Sequence, residues 1–340
     1  MTVTAVEGNT VTLENQIRDT VGDWFYWAFC VEGAEGQTLT FQMQPNRLGY
    51  FGPAVSHDFY HWHWLDRVDG DSFTYTFGQD ESKVYFAHHM LYPMARLEAL
   101  AQTHGIALNT LCQSRKGRSV PYLTFGEGEQ TLFLTARHHA CESTGSYVLE
   151  GVLSALMQHP LANTRVICVP FVDYDGVIEG DQGKNRSPHD HNRDYIDAPL
   201  YPETTAIMKL ADTYGCHMAF DFHSPWHKGG ENDYIFVVQN RVDRIERFQR
   251  FSAILERECH KGSMLYQSKN DHPPMTGWNR PAPSFSQTMH SRPECGLAFS
   301  LENTYFGTPE NKVSIDRLLA FGEVFAKTIR IYSVMQEETK

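Results

Sequence analysis

A histidine and a glutamate three residues apart could direct two metal ligands to one point. His139 and Glu142 lie in the segment TLFLTARHHACESTGSYVLE, residues 131–150. A β-type apolar run precedes the pair and a segment with helical periodicity follows it, so both side chains lie where a strand passes into a helix. Imidazole and carboxylate are ligands of catalytic zinc sites that keep one position open. Among the 17 histidines of the chain, only His139 is followed by a glutamate at this spacing.

Two more titratable side chains stand at the ends of predicted strands. His223 follows the run MAFDF, and Glu302 follows the run LAFSL. Ligands of open α/β sheets bind beyond the carboxyl ends of the strands, so we expect both residues to meet His139 and Glu142 there. Asp221 lies two residues before His223 and shares its strand face, where it could orient an imidazole.

The polar segment 173–195, DYDGVIEGDQGKNRSPHDHNRDY, contains two Asn-Arg pairs. The pairs are Asn185-Arg186 and Asn192-Arg193. They follow the apolar run 166–172, which we expect to be a buried strand. A guanidinium group matches a carboxylate with two parallel hydrogen bonds. We interpret the segment as a long loop that recognises a planar anion.

The order of predicted elements divides the chain into two domains. Residues 1–108 are mostly β-type runs with few helical patterns, which predicts a small antiparallel β-sandwich domain. Residues 109–340 alternate between strands and helices, which predicts an α/β catalytic domain with a mainly parallel mixed sheet covered by helices on both faces. The strands of this second domain are expected at 120–125, 131–135, 166–172, 218–222, 234–239 and 297–301.

The composition favours a folded protein that does not bind nucleic acid. The 340 residues are 41% hydrophobic and 21% charged, and the formal net charge is -12. An acidic balance of this size argues against general nucleic-acid binding. We find no signal segment and no apolar run of membrane-spanning length. The seven scattered cysteines include no Cys-x-x-Cys pair, and reduced thiols fit a cytoplasmic location.

Taken in order, these motifs resemble the zinc metallocarboxypeptidases of the carboxypeptidase A type, most closely their cytosolic branch. The matching segments are HACE at 139–142, the Asn-Arg pair at 192–193, DFHS at 221–224 and FSLENTYFG at 299–307. DYDG at 173–176 stands where that branch carries Asn-Pro-Asp-Gly, and the β-rich start resembles its N-terminal domain. The resemblance implies a carboxypeptidase-like fold over nearly the whole chain.

The resemblance implies a catalytic centre with one zinc ion per chain. His139, Glu142 and His223 would bind the ion, and Glu302 would act as general base and then as general acid. The implied reaction is hydrolysis of the C-terminal amide bond of a peptide or protein by a zinc-activated water.

The resemblance also implies substrate contacts, although this sequence departs from the family's pattern at some of these positions. Asn192 and Arg193 would bind the terminal carboxylate, and Arg186 would polarise the scissile carbonyl. Arg280 lies where the relatives' flexible-loop tyrosine is expected, and a basic group there predicts a preference for acidic C-terminal residues. Cys141 replaces an arginine that many relatives carry before the zinc-binding glutamate.

Other functions remain open at this point. A zinc amidase or deacylase acting on small N-acyl amino acids, of the aspartoacylase or succinylglutamate desuccinylase type, would share the metal residues. A zinc-free binding protein on a peptidase scaffold is a third possibility. A serine hydrolase is disfavoured because the chain has no Gly-x-Ser-x-Gly motif. The physiological substrate, the role of the N-terminal domain and the oligomeric state, for which a homo-oligomer is possible, are not determined by the sequence.

Overall fold

Two four-stranded sheets form the first part of the chain in the computed structural model, which describes residues 1–22 and 24–337. Their strand orders are β1-β2-β4-β7 and β3-β8-β5-β6. Phe41 and Phe73 of the first sheet pack on Phe86 of the second, each with its ring centroid 5.4 Å from that of Phe86. The strands are β1 Thr2–Glu7, β2 Thr10–Glu14, β3 Ala28–Glu32, β4 Thr38–Gln42, β5 Ala54–Ser56, β6 His63–Trp64, β7 Ser72–Thr76 and β8 Lys83–Ala87.

The pairing within these two sheets is antiparallel except between β2 and β4, which run parallel. The small β-rich layer expected before the α/β region is therefore present. The boundary at residue 108 stays a prediction. Residue 23 and residues 338–340, which belong to the two predicted domains, lie outside the described residues.

A seven-stranded mixed sheet forms the centre of the second part, in the order β14-β15-β13-β11-β12-β10-β9. Its four central strands run parallel, while β14, β10 and β9 pair antiparallel at the two sides. The mainly parallel mixed sheet predicted from the sequence is confirmed. The strands are β9 Asn109–Gln113, β10 Ser119–Phe125, β11 Gln130–Ala136, β12 Thr164–Val169, β13 Met218–His223, β14 Phe236–Val238 and β15 Leu297–Glu302.

Helices cover both faces of this sheet. Along β11, Leu132 and Leu134 belong to the core beneath α2, α5 and α7, whereas Phe133 belongs to the core beneath α4 and α6. This alternation follows from the two-residue period of a strand. The helices are α1 Met94–Thr103, α2 Ser143–Gln158, α3 Tyr174–Glu179, α4 Pro202–Tyr214, α5 Ile245–Glu258, α6 Phe285–His290 and α7 Ile315–Glu337. No helix within the described residues is long and apolar enough to cross a membrane.

The polar segment 173–195 is more ordered than the loop that we predicted. It contains α3 and a 3-10 turn, His191–Arg193. The side chain of Asp173 caps α3 by accepting a hydrogen bond from the Gly176 amide, at 3.0 Å. Asp190 caps the 3-10 turn in the same way through the Asn192 amide. Aspartate at an N-cap replaces backbone hydrogen bonds that the helix cannot make itself, so a short helix forms within a polar sequence.

The strand order opens a crevice at the carboxyl end of β11. The connection through α2 leads from β11 to β12 on one side, and the chain then returns to β13 on the other side of β11. Such a reversal is where α/β sheets bind ligands. β13 and β15 are paired so that His223 stands opposite Glu302. The topology therefore brings together the ends of the three strands from which we predicted functional side chains.

Candidate active site

The turn between β11 and α2 carries the first two predicted metal ligands. β11 ends at Ala136, Arg137 takes a left-handed backbone conformation with φ of 63°, and α2 begins at Ser143. Glu142 occupies the N-cap position, where the positive end of the helix dipole favours a carboxylate. Glu142 is fully buried and His139 is partly buried.

His139, Glu142 and His223 converge on one point. Glu142 Oε1 lies 2.9 Å from His139 Nδ1, and Glu142 Oε2 lies 2.7 Å from His223 Nδ1. One ligand atom from each residue can be chosen so that all three lie within 4.8 Å of one another. Although burial alone would raise the pKa of Glu142, the charges of Lys184 and the two histidines hold it well below its usual range. Glu142 is therefore an anion at neutral pH.

Two aspartates stand behind the histidines. His223 Nε2 lies 2.6 Å from Asp221 Oδ2, and His139 Nε2 lies 3.6 Å from Asp190 Oδ1. Burial opposes protonation of His223, but Asp221 and Glu142 raise its pKa well above the ordinary value. A carboxylate behind an imidazole keeps a proton on Nε2 and leaves the Nδ1 lone pair for a metal. The orienting role suggested for Asp221 fits this arrangement.

His138 belongs to the layer behind the site rather than to the site itself. Its Nδ1 lies 2.8 Å from Asp221 Oδ1, and its Nε2 lies 2.7 Å from the Tyr195 hydroxyl. His138 and Asp221 form a second potential metal group with His223, yet neither lines the cavity described below. Both nitrogens of His138 are already hydrogen-bonded, so we assign it to supporting Asp221.

Glu302 stands at the end of β15 next to these ligands. It is 9% exposed, and its Oε2 atom is buried with no hydrogen-bond partner among the described residues. Burial raises the pKa of Glu302 above the ordinary value; His223 opposes the shift and Glu142 adds to it. A carboxyl group whose pKa is raised toward the working pH can both accept and return a proton.

One cavity of about 610 Å³ contains every residue to which we assigned a catalytic, metal-binding or substrate-binding role. Arg193 and Arg280 contribute exposed side chains to it, whereas Asn192 is 7% exposed. Asn192 Oδ1 accepts a hydrogen bond from the Phe285 amide, which fixes the orientation of its side chain. The individual roles of these residues remain predictions. The eight are His139, Glu142, Arg186, Asn192, Arg193, His223, Arg280 and Glu302.

Arg186 differs from our expectation because three carboxylates hold its guanidinium group. Its Nε lies 3.0 Å from Asp19, its Nη1 2.7 Å from Asp173 and its Nη2 3.3 Å from Asp181. All four side chains are at most 13% exposed. A guanidinium group engaged in this way is poorly placed to polarise a substrate carbonyl. The geometry favours a structural role that ties residue 19 to the segment 173–186.

Replacing Arg186 by alanine should therefore destabilise the protein. Asp19 and Asp173 would lose the guanidinium group that balances their charge, whereas Asp181 would keep its ion pair with Arg18. Breaking a buried ion pair costs about 3–5 kcal/mol. Thermal denaturation of Arg186→Ala should show a Tm several degrees below that of the wild type, whereas Arg280→Ala, which removes an exposed arginine, should leave the Tm nearly unchanged. An unchanged Tm together with a large loss of kcat would restore the carbonyl-polarising role to Arg186.

Two further residues are placed in ways that the sequence did not reveal. Lys184 is 8% exposed, lines the cavity and has its Nζ 2.5 Å from Glu142 Oε1. In the sequence, the one feature that points to a role for Lys184 is its position in the polar segment 173–195. Tyr266, the nearest tyrosine upstream of Arg280 in the sequence, donates to Asp271 and is 2% exposed. No tyrosine is among the described residues that line the cavity, so the relatives' loop tyrosine has no counterpart there.

The donor set fits a zinc ion. Nδ1 of His139 and Nδ1 of His223 each face one oxygen of the anionic Glu142 carboxylate, at 2.9 and 2.7 Å. The lone pairs of these nitrogens and oxygens repel one another unless a proton or a cation lies between them. Two imidazoles and one carboxylate, backed by aspartates and facing a cavity, are the ligands of a catalytic zinc with an open position. The unpartnered Oε2 of Glu302 adds a proton acceptor beside them.

Comparison with known sequences gives partial matches. No protein-family model matches the chain. An uncharacterized protein of Zymomonas mobilis is 26% identical over 239 residues, covering 64% of this chain and 63% of that protein. Cytosolic carboxypeptidase 2 of Xenopus tropicalis is 30% identical over 147 residues, covering 36% of this chain and 15% of that protein. The chain therefore spans less than two thirds of the length of these relatives.

Comparison with solved structures covers almost the whole chain. A metallo-carboxypeptidase from Burkholderia cenocepacia superposes with a TM-score of 0.79 at 19% identity, covering 98% of this chain and 96% of that one. A metallo-carboxypeptidase from Pseudomonas aeruginosa, solved in complex with (2-guanidinoethylmercapto)succinic acid, gives a TM-score of 0.76 at 20% identity, with the same coverage of both chains. The superposition includes the N-terminal β-rich layer as well as the mixed sheet.

Proposed function

Because the chain has the fold of the carboxypeptidase A-type metallo-carboxypeptidases and is related in sequence to their cytosolic branch, we propose that it is a zinc-dependent carboxypeptidase. The resemblance drawn from the motifs is thus confirmed for the fold and the relationship. The observation that carries the proposal is the convergence of His139, Glu142 and His223 beside Glu302 at the carboxyl edge of the sheet.

The proposed chemistry assigns one role to each of these residues. His139, Glu142 and His223 hold a zinc ion, which when bound supplies Lewis-acid activation of water and carbonyl. Glu302 removes the proton from the attacking water and delivers it to the leaving amine. Burial of the Glu302 carboxyl, which raises its pKa, supports both halves of this transfer.

The proposed substrate is the C-terminus of a peptide or protein. Asn192 and Arg193 line the same cavity as the metal ligands and offer an amide and a guanidinium group to a terminal carboxylate. Arg280 lines the cavity with an exposed side chain and would favour an acidic terminal residue. The names of the cytosolic relatives support a cytoplasmic location as part of the same proposal.

Mass-spectrometric analysis of cleavage products tests the proposed function directly. The substrates would be short peptides ending in Glu, Lys or Phe, the same peptides with amidated C-termini, and small N-acyl amino acids. We expect release of a single terminal residue, fastest for Glu, and no cleavage of the amidated peptides. Cleavage of N-acyl amino acids alone would instead establish the amidase alternative.

The acidic preference depends on Arg280 and has its own test. Since Arg280 is exposed, its attraction to a substrate carboxylate should contribute up to about 1 kcal/mol, or about five-fold. Arg280→Gln should lower kcat/KM for the Glu-terminated peptide by up to that factor and leave the Phe-terminated peptide unaffected. Arg257→Gln, which changes an arginine outside the cavity, is the control. Equal losses on both peptides would remove Arg280 from the specificity assignment.

A further inference from the structure

We propose that Trp24 and Trp226 form an aromatic wall of the cavity that binds the penultimate side chain of the substrate, and that this side chain is aromatic or large and apolar. This inference rests on the proposed function and extends it to the residue before the scissile bond. Trp24 lies between β2 and β3, so the N-terminal β-rich layer takes part in substrate binding.

The two tryptophans of the aromatic wall pack edge to face and both line the cavity. Their ring centroids are 4.4 Å apart and the ring planes make an angle of 63°. Trp24 is partly buried, whereas Trp226 is 44% exposed. Ligand cavities are lined mainly by apolar and aromatic side chains, so an indole ring left open inside this cavity is a surface for an apolar group.

A second layer of contacts fixes Trp226 from behind. The ring of Phe25, which is 2% exposed, lies 5.2 Å from the Trp226 ring and stacks on His227 at 5.3 Å. The carbonyl oxygen of Ser224, two residues before Trp226, accepts a hydrogen bond from Lys184 at 3.0 Å. The wall is therefore held in place before a substrate binds, which lowers the entropy cost of binding.

Trp24 is brought to the cavity by contacts between the β-rich layer and the polar segment. The Val21 amide donates to the carbonyl oxygen of Asn185 at 2.8 Å. The ring of Trp24 lies over Lys184, with Nζ 5.4 Å from the ring centroid. Among the described residues before α1, Trp24 is the one that lines the cavity. Its position therefore links the β-rich layer to the active site.

A chain of contacts orders the cavity from the proposed carboxylate-binding residues to the aromatic wall. Asn192 Nδ2 lies 3.2 Å from His223 Nε2, and His223 Nδ1 lies 2.7 Å from Glu142. Glu142 in turn contacts Lys184, over which Trp24 lies. The metal ligands thus stand between Asn192 and the wall in this chain. A peptide with its terminal carboxylate at Asn192 and its scissile bond at the metal ligands therefore continues toward the wall.

The surrounding charges favour an uncharged side chain at the aromatic wall. The ammonium group of Lys184 already occupies the ring of Trp24, so it would repel a lysine or arginine of the substrate. The same ammonium group donates to oxygens of Glu142, Ser224 and Pro225, so it has no free N–H group for an acidic side chain. An aromatic side chain needs neither and packs well against indole edges and faces.

Steady-state kinetics on acetylated tripeptides Ala-Xaa-Glu, with Phe, Ala or Lys as the penultimate residue, tests the aromatic wall. Burial of the phenyl ring should make kcat/KM about 10- to 100-fold higher for Phe than for Ala. The Lys peptide should be cleaved no faster than the Ala peptide. Trp226→Ala should bring the ratio of Phe to Ala down to a few-fold, and Trp226→Phe should keep most of it.

Trp24→Ala should lower the same ratio, which tests the part taken by the β-rich layer. If Trp24→Ala does not fold, as judged by its Tm, Trp24→Leu replaces it and should still lower the ratio several-fold because it lacks the ring. Trp278→Ala is the matched control. Trp278 is exposed and lines the same cavity, but its ring stacks on His272 and its Nε1 donates to Glu231. This control should leave the ratio unchanged.

The competing explanation is that the two tryptophans only pack the β-rich layer against the mixed sheet. In that case Trp226→Ala would lower the Tm, or weaken cleavage of the Phe and Ala peptides equally, and leave the ratio of the two unchanged. Either result would overturn the proposed wall. Equal cleavage of the Phe and Ala peptides by the wild type would overturn it as well, while the carboxypeptidase function would stand.

A binding measurement separates failure of the wall from failure of the proposed function. Calorimetry on the zinc-loaded proteins would compare two peptides in which a ketomethylene group replaces the scissile amide, one with a benzyl and one with a methyl side chain at the penultimate position. The wild type should bind the benzyl peptide about 10- to 100-fold more tightly, and Trp226→Ala should not. If the wild type released no terminal residue yet showed this difference, the proposed function would fail and the aromatic wall would stand.

Discussion

Glu302→Gln should lower kcat by about 100- to 10,000-fold, the range that a positioned general base contributes, without loss of metal. The change keeps the shape of the side chain but removes the proton acceptor. The Oε2 atom of Glu302 is buried with no hydrogen-bond partner among the described residues, so no structural contact of that atom is broken. Steady-state kinetics on a cleavable peptide and metal analysis of the same preparation would check both halves of this expectation.

Glu231→Gln provides the matched control for this variant. Glu231 lines the same cavity, but its exposed carboxylate contacts His272 and Trp278 rather than the metal ligands. We expect Glu231→Gln to keep kcat within a few-fold of the wild type. A Glu302→Gln enzyme that stays active would remove Glu302 from the proton transfer.

His223→Ala should remove both metal and turnover. The change deletes one of three ligands and leaves Glu142 Oε2 and Asp221 Oδ2 without their imidazole partner. Because unpaired buried carboxylates also cost stability, we expect a lower Tm as well. Both proteins would be dialysed under conditions in which the wild type keeps its metal. Mass spectrometry should then find about one ion per chain in the wild type and nearly none in His223→Ala.

His189→Ala separates loss of a ligand from loss of a nearby histidine. His189 lines the cavity, but its Nε2 lies 2.6 Å from Asp194 and outside the metal group. This variant should keep its metal. Should His223→Ala fail to fold, His223→Gln preserves more of the side-chain volume and makes the same test. Retention of a full metal complement by a folded His223 variant would contradict the assigned ligand set.

The parts of the site that the sequence predicted are those fixed by local pattern. Strands β11, β13 and β15 are buried on both faces, so they appear as apolar runs, and the polar residue that ends each run marks the carboxyl edge of the sheet. His223 and Glu302 could be found in this way, and His139 could be found by its three-residue spacing from Glu142. Their convergence then follows from the parallel arrangement of the strands.

The parts that the sequence did not reveal depend on contacts between distant segments. The carboxylate of Asp19 that holds Arg186 lies 167 residues away in the chain, and no local pattern indicates that the two meet. Lys184 approaches Glu142 because Gly183 packs against Ala140, a contact that appears only once the polar segment has folded back. The helix α3 was missed because an aspartate cap, rather than an apolar face, defines its start.

The most direct test of the central claim combines metal stoichiometry with product analysis on the wild-type protein. The purified protein would be analysed for zinc, incubated with a peptide ending in Glu, stripped with a chelator and then reloaded with zinc. We predict about one zinc ion per chain, release of one terminal residue, loss of this activity on chelation and its return with zinc. Cleavage that continues unchanged after complete removal of zinc, or a zinc-loaded protein that releases no terminal residue from peptides ending in Glu, Lys or Phe, would contradict the account.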